Sequence, residues 1–235
     1  MAEIEIIEQN MYRMIKIQLE NESFRIESGA MYYYRGELEM EAKAPSLGGF
    51  LKSVVSSEST VKPVYTGTGE LYLEPSFSDY HTLDLAGEEW ILDSGAYICS
   101  EMGVEVEAFK NKALAGIFSG EGLFQTKVSG EGKVVIESRG PVIEIGLNEE
   151  NLVVDGRFAI AREASVGFEV EKSSKKLFGT ILGGEGLVNR FSGSGKVLLA
   201  PLPNAYSTFA ANFREIKKSS DSILSKIGSL KSPEN

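Results

Sequence analysis

The sequence predicts an all-β fold of three repeated β units in a pseudo-threefold arrangement, with a C-terminal amphipathic helix. Three series of segments predict it. Gly67-Thr68-Gly69, Gly130-Glu131-Gly132 and Gly193-Ser194-Gly195 recur with a period of 63 residues, and each opens an apolar alternation: Leu71 and Leu73, Val134 and Ile136, Val197 and Leu199. Upstream, Glu37-Leu38-Glu39-Met40-Glu41, Gly103-Val104-Glu105-Val106-Glu107 and Gly167-Phe168-Glu169-Val170-Glu171 set apolar residues at period two against carboxylates. That is the signature of a half-buried strand. Further upstream, Phe24-Arg25-Ile26-Glu27-Ser28-Gly29-Ala30, Trp90-Ile91-Leu92-Asp93-Ser94-Gly95-Ala96 and Leu152-Val153-Val154-Asp155-Gly156-Arg157 each run a strand into a tight turn.

Taken in order, the chain opens with a strand over 12–20, where Ile15, Ile17 and Leu19 face one way and Lys16, Gln18 and Glu20 the other, turning at Asn21-Glu22. Units follow over about 24–89, 90–151 and 152–202, each with a glycine-rich link between its second and third segments. One such unit is too small to bury its apolar face, so the three pack on one another as a single β domain over 1–205. Pro63 points to an edge or a bulge in the strand it enters. After Pro201 and Pro203, Tyr206, Phe209, Phe213, Ile216, Ser220, Ile223 and Ile227 are spaced alternately by three and four residues, the stripe of an amphipathic helix over 206–227. Residues 228–235 form a frayed tail.

Composition excludes several classes. The 235 residues suffice for a core without disulfide or metal staples, and the single cysteine, Cys99, forms no internal bridge. With 24 Lys and Arg against 34 Asp and Glu the net charge is −10, which argues against nucleic acid as a partner. No apolar run approaches the roughly 18 residues of a membrane-spanning helix and no signal peptide is present, so the expectation is a cytoplasmic protein without a transmembrane segment.

The inventory for chemistry is short. His81, the only histidine, reads as a neutral residue of a surface turn. Cys99, in strand context with no nearby base, reads as a small buried hydrophobe. The strand carboxylates Glu39 and Glu41, Glu105 and Glu107, and Glu169 and Glu171 sit two apart, which puts each pair on one sheet face about 7 Å apart. They are candidates for a cation, a cationic partner or acid–base chemistry, against the plainer reading of a solvated face. Phe50, Leu51, Ile117, Phe118, Ile181 and Leu182 in the glycine-rich links, with Phe209, Phe213 and Ile216 on the helix stripe, are candidates for an apolar interface. The links lack the ends of a phosphate loop or a dinucleotide fingerprint, and no motif asks for a cofactor. Tyr32, Tyr33 and Tyr34 lie in acidic surroundings and read as sheet and interface packing rather than as a platform for bases.

Glu27-Ser28-Gly29-Ala30, Asp93-Ser94-Gly95-Ala96, Ser119-Gly120-Glu121-Gly122-Leu123-Phe124, Gly183-Gly184-Glu185-Gly186-Leu187 and Phe191-Ser192-Gly193-Ser194-Gly195 together resemble the altered-inheritance-of-mitochondria family. The resemblance covers roughly 24–202 and implies a fold like that of the tryptophan RNA-binding attenuation protein, but it does not imply that protein's ligand or RNA. It brings no catalytic residues, and the fungal member's association with mitochondrial organisation implies a scaffolding or membrane-adjacent role. The resulting expectation is a non-enzymatic structural or interaction module that forms a homo-oligomer. Its rivals are a metal- or small-molecule-binding enzyme using the strand carboxylates and a scaffold making peripheral membrane contact through its apolar links and basic tail.

Overall fold

The computed structural model of the protein describes residues 2–42, 62–111, 124–155, 158–172 and 187–202. The chain divides into a unit of residues 1–201 and a second from Leu202 onward, of which only Leu202 is described. The first unit is all-β, with no helix among the described residues. Its strands are β1 (Glu3–Gln9), β2 (Tyr12–Ile26), β3 (Met31–Glu41), β4 (Val64–Leu73), β5 (Asp79–Ala86), β6 (Trp90–Leu92), β7 (Tyr97–Glu101), β8 (Val104–Lys110), β9 (Phe124–Ser138), β10 (Ile143–Asp155), β11 (Ala159–Glu163), β12 (Gly167–Lys172) and β13 (Leu187–Leu199).

All pairings are antiparallel, and the main path runs β10-β13-β11-β6-β9-β7-β2-β4-β3. Three long strands carry it. β4 lies between β2 and β3, β9 takes β5 and β6 on one side and β7 and β8 on the other, and β13 is flanked by β10 on one side and by β11 and β12 on the other. The Gly-x-Gly segments lie inside these strands rather than at their ends, all six glycines at positive φ. At Gly67 the requirement is steric as well as torsional, because a Cβ there would stand 2.0 Å from the Glu37 carbonyl oxygen across the ladder.

Two short contacts join the three groups. β2 reaches β7 through Phe24, Arg25 and Ile26, and β6 reaches β11 through Trp90, Ile91 and Leu92. The core follows the pleat. On β9, Val134 and Ile136 belong to a second cluster with Leu83, Trp90, Leu92 and Val104, while Val135 points the other way into a first cluster with Ile15, Ile17, Phe24, Leu71 and Cys99. On β13, Leu198 enters the second cluster and Val197 the third, with Leu147, Val154, Val166 and Phe191. Each such side chain contributes about 1.5–3 kcal/mol by leaving water, so strands with apolar residues on both faces link neighbouring cores.

Several expectations are corrected. Asn21-Glu22 is not a turn: β2 runs on through a register shift between Glu20 and Glu22, with Asn21 at φ 55, so residues 12–20 are the first part of a 15-residue strand. A β-bulge takes up the extra residue and bends the strand without ending it. Strand β1, pairing with β2 around Asn10 at φ 56, was not foreseen. Pro63 does not mark an edge, since β4 is paired on both sides; it precedes the strand and its carbonyl accepts a bond from the Ile26 amide at 3.0 Å. His81 lies within β5, half-buried, not in a turn. The helix expected over 206–227 and the tail over 228–235 lie outside the described residues.

Candidate functional site

The acidic pairs sit on strands, as alternation requires, and stay near solvent. Glu39 and Glu41 on β3, Glu105 and Glu107 on β8, and Glu169 on β12 are exposed, and Glu171 is half-exposed. Cross-strand neighbours differ between the pairs. Glu107 faces Lys127, whose ammonium is 3.9 Å from it and 3.1 Å from Glu89. Arg190 donates a fork to Glu171, Nε at 2.9 Å and an Nη at 3.0 Å. Glu39 and Glu41 lie opposite Thr66 and Val64. Counted from the glycines of β9 and β13, the third pair stands two residues further along its strand than the second: Val104 faces Gly130, whereas Gly167 faces Ser192. Among the described residues no group of three or more His, Cys, Asp or Glu side chains converges as a metal site. The apolar candidates Phe50, Leu51, Ile117, Phe118, Ile181, Leu182, Phe209, Phe213 and Ile216 all lie outside the described residues.

Burial shifts the titratable groups of the interior. Burial pushes the Cys99 thiol well above its ordinary value, the reverse of what a nucleophile needs. Desolvation lowers the His81 imidazole and outweighs the pull of Glu144 and Asp84. Burial also raises the Tyr97 phenol, whose oxygen lies 2.9 Å from Ser100 Oγ. Arg162 is buried and lowered to about 10; one Nη donates to the carbonyls of Val166 at 2.9 Å and Glu163 at 3.3 Å, which ties down the turn between β11 and β12.

The feature built toward solvent is the outer strand β3. Ten of its eleven residues are exposed, and Met31, Tyr32, Tyr33, Tyr34 and Met40 are large and apolar or aromatic. The tyrosines are ordered by one another. Tyr33 stacks on Tyr72 of β4 with centroids 4.4 Å apart and planes at 17°, and Tyr32 meets Tyr33 edge-on at 5.2 Å. Beneath them Glu70 accepts from Lys16 at 3.0 Å and from the Tyr72 hydroxyl at 3.1 Å, with Arg35 at 3.8 Å. Lys16 first and Tyr72 second hold that carboxyl below its usual range.

Comparison with known proteins places this architecture. The family described as mitochondrial biogenesis AIM24 matches residues 4–202. The chain belongs to that family. No curated protein matches this AIM24 chain. Its fold is similar to the crystal structure of protein SPYM3_0169 from Streptococcus pyogenes, with a TM-score of 0.71 at 22% identity, covering 92% of this chain and 100% of that one. That likeness concerns the fold. Among the described residues of the AIM24 chain no helix is long and apolar enough to cross a membrane.

Sequence reasoning treated the tyrosines as packing residues and left them out of the candidate site, and it passed over Leu152 and Val153 on β10, the strand at the opposite end of the path. A signal was present. Acidic residues flank these segments without entering them: Glu37, Glu39 and Glu41 follow Met31 to Tyr34, and Glu149 and Glu150 precede and Asp155 follows Leu152 to Val154.

Proposed function

We propose that this AIM24 protein is a non-enzymatic structural module, made of three equivalent β units, that associates with copies of itself. The observation that carries it is the outer strand β3, whose uncovered Met31, Tyr32, Tyr33 and Tyr34 form an apolar stretch with no acid to blunt it. An exposed strand edge lined by aromatic side chains is a template for pairing with another chain. Equivalence of the units is supported by a shared irregularity: β3, β7 and β11 each shift register at their second residue, between Met31 and Tyr33, Tyr97 and Cys99, and Ala159 and Ala161. The Gly-x-Gly positions, always inside the long central strand, support it too. The raised thiol of buried Cys99, and the counter-ions held by Glu107 and Glu171, agree with a module that does no chemistry.

Light scattering on the full chain over a dilution series tests the reading. We expect a mass of more than one chain that falls on dilution. A single-chain mass at every concentration overturns the self-association.

A further inference from the structure

The two contacts that join the units follow one rule. In the first, Phe24 faces Glu101, Arg25 faces Ser100 and Ile26 faces Cys99; in the second, Trp90 faces Glu163, Ile91 faces Arg162 and Leu92 faces Ala161. Each is clasped by one more backbone bond, from the Glu27 amide to the Ile98 carbonyl at 2.7 Å and from the Asp93 amide to the Ile160 carbonyl at 2.8 Å. In both cases the accepting residue is the one at the bulge of the receiving strand. β3 carries the same bulge at Tyr32, and Leu152-Val153-Val154 occupies on β10 the place of Phe24-Arg25-Ile26 and Trp90-Ile91-Leu92. The rule then sets Leu152 against Arg35, Val153 against Tyr34 and Val154 against Tyr33. These are the two halves of a third joint, and they lie on the two strands that end the pairing path.

Both halves stand open. Tyr33 and Tyr34 are 40% and 45% exposed, whereas Cys99, Ser100, Ala161 and Arg162, which hold their places in the made joints, are at most 8% exposed; Val153 is 50% exposed, whereas Ile91 in its place is 2% exposed and Arg25 is half-buried. The cores repeat the pattern. Cys99 and Val135, a cross-strand pair, complete the first core although they come from the neighbouring unit; Ala161 and Leu198 complete the second in the same way. The matching pair is Tyr33 and Tyr72, also cross-strand partners, and neither ring is packed into any of the three cores. Among the described residues the third core draws its buried side chains, Leu147, Val154, Val166, Phe191 and Val197, from its own unit.

We propose that the third joint forms between molecules: the start of β3, with the Tyr33–Tyr72 stack, docks head to tail on Leu152-Val153-Val154 of a second copy of this chain and caps its third core. The occupant is a second copy because the receiving segment matches, in register, bulge and core position, the partners that the same segment takes twice within the chain. The acids agree, since none of the six facing positions carries one, and Asp155 follows Val154 as Glu27 and Asp93 follow the corresponding residues of the made joints. Such a contact uses different surfaces on the two partners, so copies add in one direction and either close a ring or extend.

The inference rests on the self-association proposed above, and its test separates the two. Val153→Glu blocks one half of the joint and Tyr34→Glu the other, each by placing a carboxylate at the middle pair, where the made joints hold Arg25 with Ser100 and Ile91 with Arg162 and no acid. Both sites are exposed, so the variants are expected to keep the wild-type far-UV spectrum. By light scattering each variant alone is expected to fall to a single-chain mass. An equimolar mixture is expected to reach a mass of two chains and stop there, since one intact β3 meets one intact β10 and the remaining ends are blocked. Two misfolded variants would not restore a dimer. A wild-type multimer with both variants at the wild-type mass overturns this joint and leaves self-association standing. Single-chain variants whose mixture stays single overturn the head-to-tail arrangement. A wild-type single chain, with the joint closed inside one molecule or absent, overturns both proposals.

Discussion

Glycine at mid-strand reports two separate constraints, and Gly67 and Gly193 separate them. Both adopt positive φ, at 140° and 98°, which a side chain resists. At Gly193 a Cβ would meet nothing within 4 Å, whereas at Gly67 it would press on the backbone of Glu37 and Leu38. Gly193→Ala should therefore cost about 1–3 kcal/mol, the range for a side chain held in a sparsely populated backbone conformation. Gly67→Ala adds a clash that only movement of β3 away from β4 relieves, so it should cost more than about 3 kcal/mol. Urea unfolding of the two variants checks this, and equal losses would mean that φ alone selects glycine here. At this scale the sequence was informative about presence and silent about cause, since Gly-x-Gly looks the same whether its neighbour is open space or a carbonyl.

Strands were legible where one face is buried and misread where both or neither is. Ile15, Ile17 and Leu19 alternate cleanly and mark β2, but the extra residue near Asn21 imitates a turn, because a bulge and a turn both use a residue at positive φ. On β9, the consecutive Val134, Val135 and Ile136 serve two cores at once, so the pattern hides that Val135 belongs to a neighbouring cluster. The acidic pairs were found by spacing, but their meaning depends on cross-strand partners such as Lys127 and Arg190, which sequence distance conceals. On β3, Glu39 and Glu41 have no such cation opposite them, and edge protection is the role that fits them. The double variant Glu39→Val, Glu41→Val should keep its folding stability to within about 0.5 kcal/mol per site, as exposed positions do, yet precipitate at concentrations that leave the wild type clear. Turbidity on concentration measures it, and a variant as soluble as the wild type would deny these residues the role.

Across the whole first unit, the consequence of sharing cores is cooperativity. Cys99 and Val135 complete a cluster built by β2 and β4, and Ala161 and Leu198 complete one built by β5, β6 and β9, so loss of one group of strands exposes apolar surface in its neighbour. Independent modules joined by linkers would melt one at a time; groups of strands whose side chains complete one another's cores should melt together. The protein carries its own probe, because its single tryptophan, Trp90, lies at the contact between β6 and β11 and is 4% exposed. Its emission follows the junction of the second and third groups of strands, while the far-UV spectrum follows all of them. The two signals should trace one superimposable transition in urea, with the same midpoint and slope, in a variant held as a single chain by Val153→Glu so that dissociation does not enter. Two separated transitions, with tryptophan leading, would mean that the side chains crossing between clusters contribute too little to couple them, and that the three groups of strands fold as beads on one string.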